Sequence, residues 1–168
     1  MAAHCQQQLC SSDIDPVPLD GLHLTLPKVG DAAVVERTEL RVVANAAEEA
    51  LAAISSFELS VGPLAGSMSA LRFSVAPWDR LFGLHAQLRE SVVSVRPAES
   101  PKPASRFRPH IGIGYSNRRR PAAPIIEAVA ALREIEPVKV RVEDVKLVRL
   151  WRTDHRYEWD EIATIQLR

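Results

Sequence analysis

The stretch Leu22-His23-Leu24-Thr25-Leu26 carries the clearest chemistry in the chain. Along an extended strand, successive side chains point to opposite faces. His23 and Thr25 then share one face, and Leu22, Leu24 and Leu26 share the other. The leucine face can pack on a core, which leaves an imidazole and a hydroxyl together on the opposite face. That pair suits a phosphoryl group: the imidazole moves a proton and the hydroxyl holds an oxygen. A second, imperfect copy stands at Pro109-His110-Ile111-Gly112-Ile113, where glycine takes the place of the hydroxyl residue. Two imidazoles brought together can act as general acid and general base, because unperturbed histidine titrates near pH ~6.5.

Strict alternation puts Gly112, Gly114 and Ser116 on the face of His110. Glycine inside a strand marks close approach by a ligand or another backbone, so Gly112 reads equally as an open floor for substrate, as the mark of a decayed site, or as a place where a partner strand crowds in. The missing hydroxyl removes a hydrogen bond on the order of 1–3 kcal/mol, which puts more of the phosphate positioning on Thr25. Arg106, Arg108, Arg118, Arg119 and Arg120 bracket the second motif. Arg108 shares the phase of His110 and reads as a phosphate-binding residue, since the guanidinium fork matches phosphate oxygens. The run Arg118–Arg120 reads equally well as a solvated loop. Tyr115 and Trp151 read as core, while Tyr157 and Trp159 are the aromatic candidates for stacking a base. His85 lies on an apolar helical stripe and reads as a core histidine. Metal-ligand spacing, a Gly-rich phosphate loop, a nucleotide fingerprint and a serine elbow are all absent from the sequence, so neither metal nor cofactor is expected.

These residues need elements to hold them. Asp15-Pro16-Val17-Pro18 is a stiff, extended lead-in to a first strand over about residues 22–27, because proline fixes φ and pushes its predecessor out of the helical region. Apolar residues at steps of three and four predict helices over about 38–54 with Thr38 as N-cap, over 78–93, and over 121–135. Residues 57–61 and 71–75 alternate as a hairpin broken at Gly62-Pro63. A Pro-rich crossover spans 96–105. The second motif lies on a strand over 107–115. Val138, Val140 and Val142 alternate, the phase slips at Glu143-Asp144, a turn falls at 153–156, and a last strand runs over 157–167.

The bulk properties set outer limits. The 168 residues are 46% hydrophobic and 25% charged, enough for one domain with a real core. The longest apolar runs fall well short of the roughly 20 residues of a membrane span, and a basic-then-apolar leader is missing. Cys5 and Cys10 form neither a disulfide framework nor a zinc site, so a reducing cytoplasm is the expected compartment. No membrane partner is expected, and the sequence leaves the oligomeric state open, with a monomer as the default. Residues 1–95 carry 6 basic and 11 acidic side chains, whereas residues 96–168 carry 15 and 10, which hints at an anionic partner for the second half.

The two motifs bring their flanks with them: Asp15-Pro16-Val17-Pro18, Phe107-Arg108-Pro109-His110, Tyr115-Ser116-Asn117 and Arg156-Tyr157-Glu158-Trp159. Together, over about residues 14–168, they resemble the two-histidine phosphoesterase superfamily, in particular its 2′-5′ RNA ligase and cyclic phosphodiesterase branch. Its members carry two His-x-Thr/Ser-x motifs, matched here by His23-Leu24-Thr25-Leu26 and His110-Ile111-Gly112-Ile113. The resemblance implies an α+β fold of two pseudo-symmetric lobes of antiparallel sheet with outer helices, the His-motif strands facing each other across a central cleft. It implies a single two-lobed domain over residues 1–168, lacking the usual first N-terminal strand. It also implies metal-free chemistry on 2′,3′-cyclic phosphates or 2′-5′ linkages of RNA ends or small nucleotides, with His110 taking a proton and His23 giving one. The alternative is a catalytically weakened RNA- or nucleotide-binding module on the same fold, with Gly112 as its mark.

Overall fold

The computed structural model describes residues 1–9, 11–67, 69–99, 101–119, 121–153 and 156–168. In chain order the elements are α1 (Ala2–Gln8), β1 (Ile14–Pro16), α2 (Arg37–Leu51), β2 (Phe57–Gly66), β3 (Ala70–Ala76), α3 (Trp78–Val95), β4 (His110–Ser116), α4 (Ala123–Ala131), β5 (Val138–Val142), β6 (Asp144–Thr153) and β7 (Arg156–Gln166). Five strands form one antiparallel sheet in the order β1-β4-β3-β2-β5, and β6 pairs with β7 in a second, two-stranded sheet. The class is α+β, as the family resemblance implies.

The helices form where their apolar stripes can be covered. Val43, Ala47 and Leu51 of α2 are buried, as are Leu81, Leu84, Leu88 and Val92 of α3. The cap of α2 is Glu36 rather than Thr38. Glu36 caps the N3 backbone while Glu39 reaches back to the Glu36 N–H at 3.0 Å, a reciprocal pair that outcompetes a lone threonine cap. One hydrophobic cluster runs from Cys5 and Leu9 through Leu59, Phe73 and Ile113 to Ile165 and Leu167, and Leu22, Leu24 and Leu26 pack against it. The leucine face of the first motif is therefore the core face.

Three boundaries differ from expectation, each for a local reason. The Gly62-Pro63 break is not an end: Gly62 at φ 134° lets β2 bulge, and the ladder with β3 resumes at Leu64. The slip at Glu143-Asp144 is where the chain leaves one sheet for the other, since β5 ends at Val142 and β6 starts at Asp144. Residues 22–27 do not form a regular strand. They are an extended segment joined to β4 by one isolated antiparallel bridge, Leu24 to Ile111. β3 covers the other edge of β4, so Leu24 lies along the edge where β1 also pairs. The first motif thus continues that edge after a 3-10 turn at Leu19–Gly21, and Pro16, Pro18 and Pro27 remove the donors a longer ladder would need. The expected turn at 153–156 includes Asp154 and His155, which lie outside the described residues, as does Arg120.

Candidate active site

The Leu24–Ile111 bridge sets the geometry. Continuing its antiparallel register by one residue in each direction places His23 beside Gly112 and Thr25 beside His110. Leu24 and Ile111 face the core, so these four residues share the opposite face. The two motifs come together side by side, although 87 residues separate Leu24 from Ile111 in the chain.

The two imidazoles are held in the same way. His23 Nδ1 lies 2.8 Å from the carbonyl oxygen of Gly21, and His110 Nδ1 lies 2.7 Å from that of Arg108. A carbonyl oxygen only accepts, so each Nδ1 carries the proton and donates it. Each neutral ring then keeps its lone pair on Nε2, free for a proton on the open face. His23 is half-buried, while His110 and Thr25 are exposed.

Aromatic side chains wall the His23 side. The rings of Trp159 and Tyr157 meet His23 edge-on, with centroids 5.3 and 6.3 Å away. Tyr157 and Trp159 lie two apart on β7, on one face of the strand. Arg152 lies over Tyr157, 5.7 Å from the ring centroid. Trp151, expected in the core, is exposed and donates its indole N–H to Glu158 at 3.2 Å.

Arg108 takes a different part from the expected one. Its carbonyl orients His110, and its Nη1 donates to the carbonyls of Ser105 and Phe107, both at 2.9 Å. The guanidinium is turned back onto its own loop. The residue cross-strand from Gly112 is instead Arg72, and Ser74 stands cross-strand from His110. Arg72 lies between the buried Leu71 and Phe73 and so points to the motif face. It is half-buried, and among the described residues it has neither an ion pair nor a hydrogen-bond partner. Sequence reading missed it because a single arginine in an alternating strand looks like an ordinary solvent-facing position.

Tyr115 also differs from expectation. Leu71 pairs with Gly114 and Arg72 with Gly112, so Ile113 is an extra residue in β4. This bulge moves Gly114 to the core face, where an added Cβ would lie 2.9 Å from Ile14 Cγ2, and brings Tyr115 onto the face of Gly112. The bulge is tied down at the Ile113 carbonyl, which accepts from Val17 N–H at 3.0 Å and from Gln6 Nε2 at 2.9 Å. The Tyr115 ring meets Tyr157 edge-on, with centroids 5.8 Å apart. Its hydroxyl would lie 3.1 Å from a Cβ built on Gly112, so Gly112 is not an empty floor. Burial raises the Tyr115 pKa above the ordinary phenol value and Tyr157 adds to the rise, with Arg152 opposing it, so the hydroxyl keeps its proton.

His85 is the core histidine expected. It is buried and stacked on Phe107, with centroids 4.4 Å apart. Among the described residues, His, Cys, Asp and Glu side chains form no metal-ligating group of three, and no helix is long and apolar enough to cross a membrane.

Solved structures share this architecture. TT0787 of Thermus thermophilus superposes with a TM-score of 0.74 at 19% identity, covering 99% of this chain and 90% of that one. Escherichia coli LigT, solved with 3′-AMP, gives 0.71 at 18% identity over 99% and 88%. A third structure, described as a phosphoesterase, gives 0.68 at 17% identity over 98% and 92%. The fold is that of LigT and these related structures. A sequence profile of the 2′-5′ RNA ligase superfamily matches residues 3–154, and the chain belongs to that family. A search of curated proteins finds no match.

Proposed function

We propose that this chain is a metal-independent phosphoesterase acting on 2′,3′-cyclic phosphates or 2′-5′ phosphodiester linkages of RNA ends or small nucleotides. The observation that carries the reading is the matched pair of Nδ1–H bonds, His23 to the Gly21 carbonyl and His110 to the Arg108 carbonyl, on one face of adjoining segments. His110 Nε2 takes the proton of the attacking water as its oxygen bonds to phosphorus. Protonated His23 gives its Nε2 proton to the ribose oxygen as the bond from phosphorus to that oxygen breaks. The two imidazoles exchange roles when the reaction runs backwards, which allows ligation as well as hydrolysis. Thr25 holds a phosphoryl oxygen beside His110, and Tyr157 and Trp159 offer ring surface to the base. The LigT structure carries 3′-AMP, a ribose phosphate of the class proposed here as substrate.

The test is incubation with 2′,3′-cyclic AMP and with a 2′-5′-linked diadenylate, with and without EDTA. Release of an adenosine monophosphate from at least one substrate, unchanged by EDTA, is the expected result. Binding without turnover would favour the weakened binding module, and loss of activity in EDTA would contradict the metal-free reading.

A further inference from the structure

We propose that the phosphate-holding group of the second motif is relocated: the Tyr115 hydroxyl, with the Arg72 guanidinium beside it, holds the phosphoryl oxygen that a hydroxyl at position 112 would hold. The proposal rests on the phosphoesterase reading of this face and names the groups that grip its anion.

Three observations carry it. The first is occupancy: the Tyr115 oxygen, 3.1 Å from a Cβ at Gly112, fills the space a side chain there would enter. The second is the bulge at Ile113, which alone brings Tyr115 onto this face, and which is anchored by Val17 and Gln6. The third is Arg72, a half-buried cation cross-strand from Gly112 with no partner among the described residues. Its guanidinium donors are left for a ligand, and a bound phosphate would take them as charge-assisted hydrogen bonds. Tyr115 itself faces Ala70, but its oxygen lies 3.1 Å from the Cβ position of Gly112, the cross-strand partner of Arg72. Cross-strand Cβ positions on one face are about 5 Å apart, so the long guanidinium arm can reach the phosphate that the phenol holds. The phenol keeps its proton as a donor because burial disfavours the phenolate. Glycine at 112 is then required: a side chain there would displace the donor that replaced it.

Tyr115→Phe removes the hydroxyl and keeps the ring against Tyr157. It should lower kcat/KM for 2′,3′-cyclic AMP by about tenfold or more, the size of one hydrogen bond to a charged group. Gly112→Ser alone should also lower it, through the short contact. In the double variant the nearest remaining atom is the ring carbon at 3.6 Å, an ordinary contact, and the serine hydroxyl should restore most of the loss. Binding gives an independent readout by calorimetry: Tyr115→Phe and Arg72→Gln should each weaken 3′-AMP by about tenfold while leaving adenosine unchanged. Wild-type turnover with Tyr115→Phe unaffected in both assays would overturn this proposal and leave the phosphoesterase reading intact. Weakened 3′-AMP binding in a protein that turns nothing over would support this proposal and contradict that reading. A wild-type protein that neither binds 3′-AMP nor turns over substrate would overturn both.

Discussion

Leu24 pairs with Ile111 in one antiparallel bridge, and the two imidazoles stand on either side of it. The pairing joins segments far apart in the chain. It puts His23 and His110 on a common face, each with its Nδ1 proton given to a backbone carbonyl two residues earlier. That leaves Nε2 of both rings for the open face, and the scaffold presents the two in the same tautomer.

A site of this kind needs one imidazole neutral and the other protonated in the same molecule. The rate must fall at low pH, where the base is protonated, and at high pH, where the acid has lost its proton. The profile of kcat/KM for a 2′,3′-cyclic mononucleotide should therefore be bell-shaped. A rate that rises or falls monotonically through the neutral range would contradict the paired roles.

The bulge in β4 can be tested through two glycines. At Gly114 an added Cβ would lie 2.9 Å from Ile14 Cγ2, between β1 and β4. Gly114→Ala should destabilise the protein by about 1–3 kcal/mol, the usual cost of overpacking. Gly83, on the exposed side of α3, has nothing within 4 Å of the corresponding point. Gly83→Ala should stabilise by about 0.5–1 kcal/mol, because alanine loses less backbone entropy in a helix. Urea unfolding of the two variants should give shifts of opposite sign; shifts of the same sign would mean that the strand packing around Gly114 is wrong.

His85 makes stability depend on pH. Burial lowers its pKa below that of a free histidine, and Arg89, one turn along α3, lowers it further. The unfolded chain therefore binds the proton more readily than the folded one. The contribution of neutral His85 is intact above about pH 6.5, the unfolded value, and is lost as pH falls from there through the folded value. Comparing urea midpoints at about pH 7.5 and 5, wild type should lose more stability than His85→Leu, which cannot take up the proton. An equal loss in both would remove His85 from the acid response.

Much of this was legible in the sequence because it depends on local period. The leucine face of residues 22–26, the stripes of α2 and α3, the β2–β3 hairpin and the pairing of Tyr157 with Trp159 all follow from steps of two, three or four. What was not legible depends on partners distant in the chain. The expected strand at 22–27 shrank to one bridge because it meets the sheet along the edge of β4 that β1 already shares. The face of Tyr115 was misread because counting by twos assumes an unbroken ladder, and the extra residue at Ile113 reverses every face beyond it. Arg108 has the right phase, but the carbonyls of Ser105 and Phe107 hold its side chain on the loop. Arg72 became a candidate only once β3 was seen to lie against the second motif.

The central claim is that His23 and His110 work as a general acid and base pair, one giving a proton and the other taking one. The most direct measurement is kcat for a 2′,3′-cyclic mononucleotide in His23→Ala and His110→Ala, with folding checked by circular dichroism. Both imidazoles lie on the open face, so both variants should fold, and each should lose about 10²–10⁴-fold in kcat, with the double variant little worse than either. A variant that folds and turns over within about threefold of wild type would contradict the claim for that histidine.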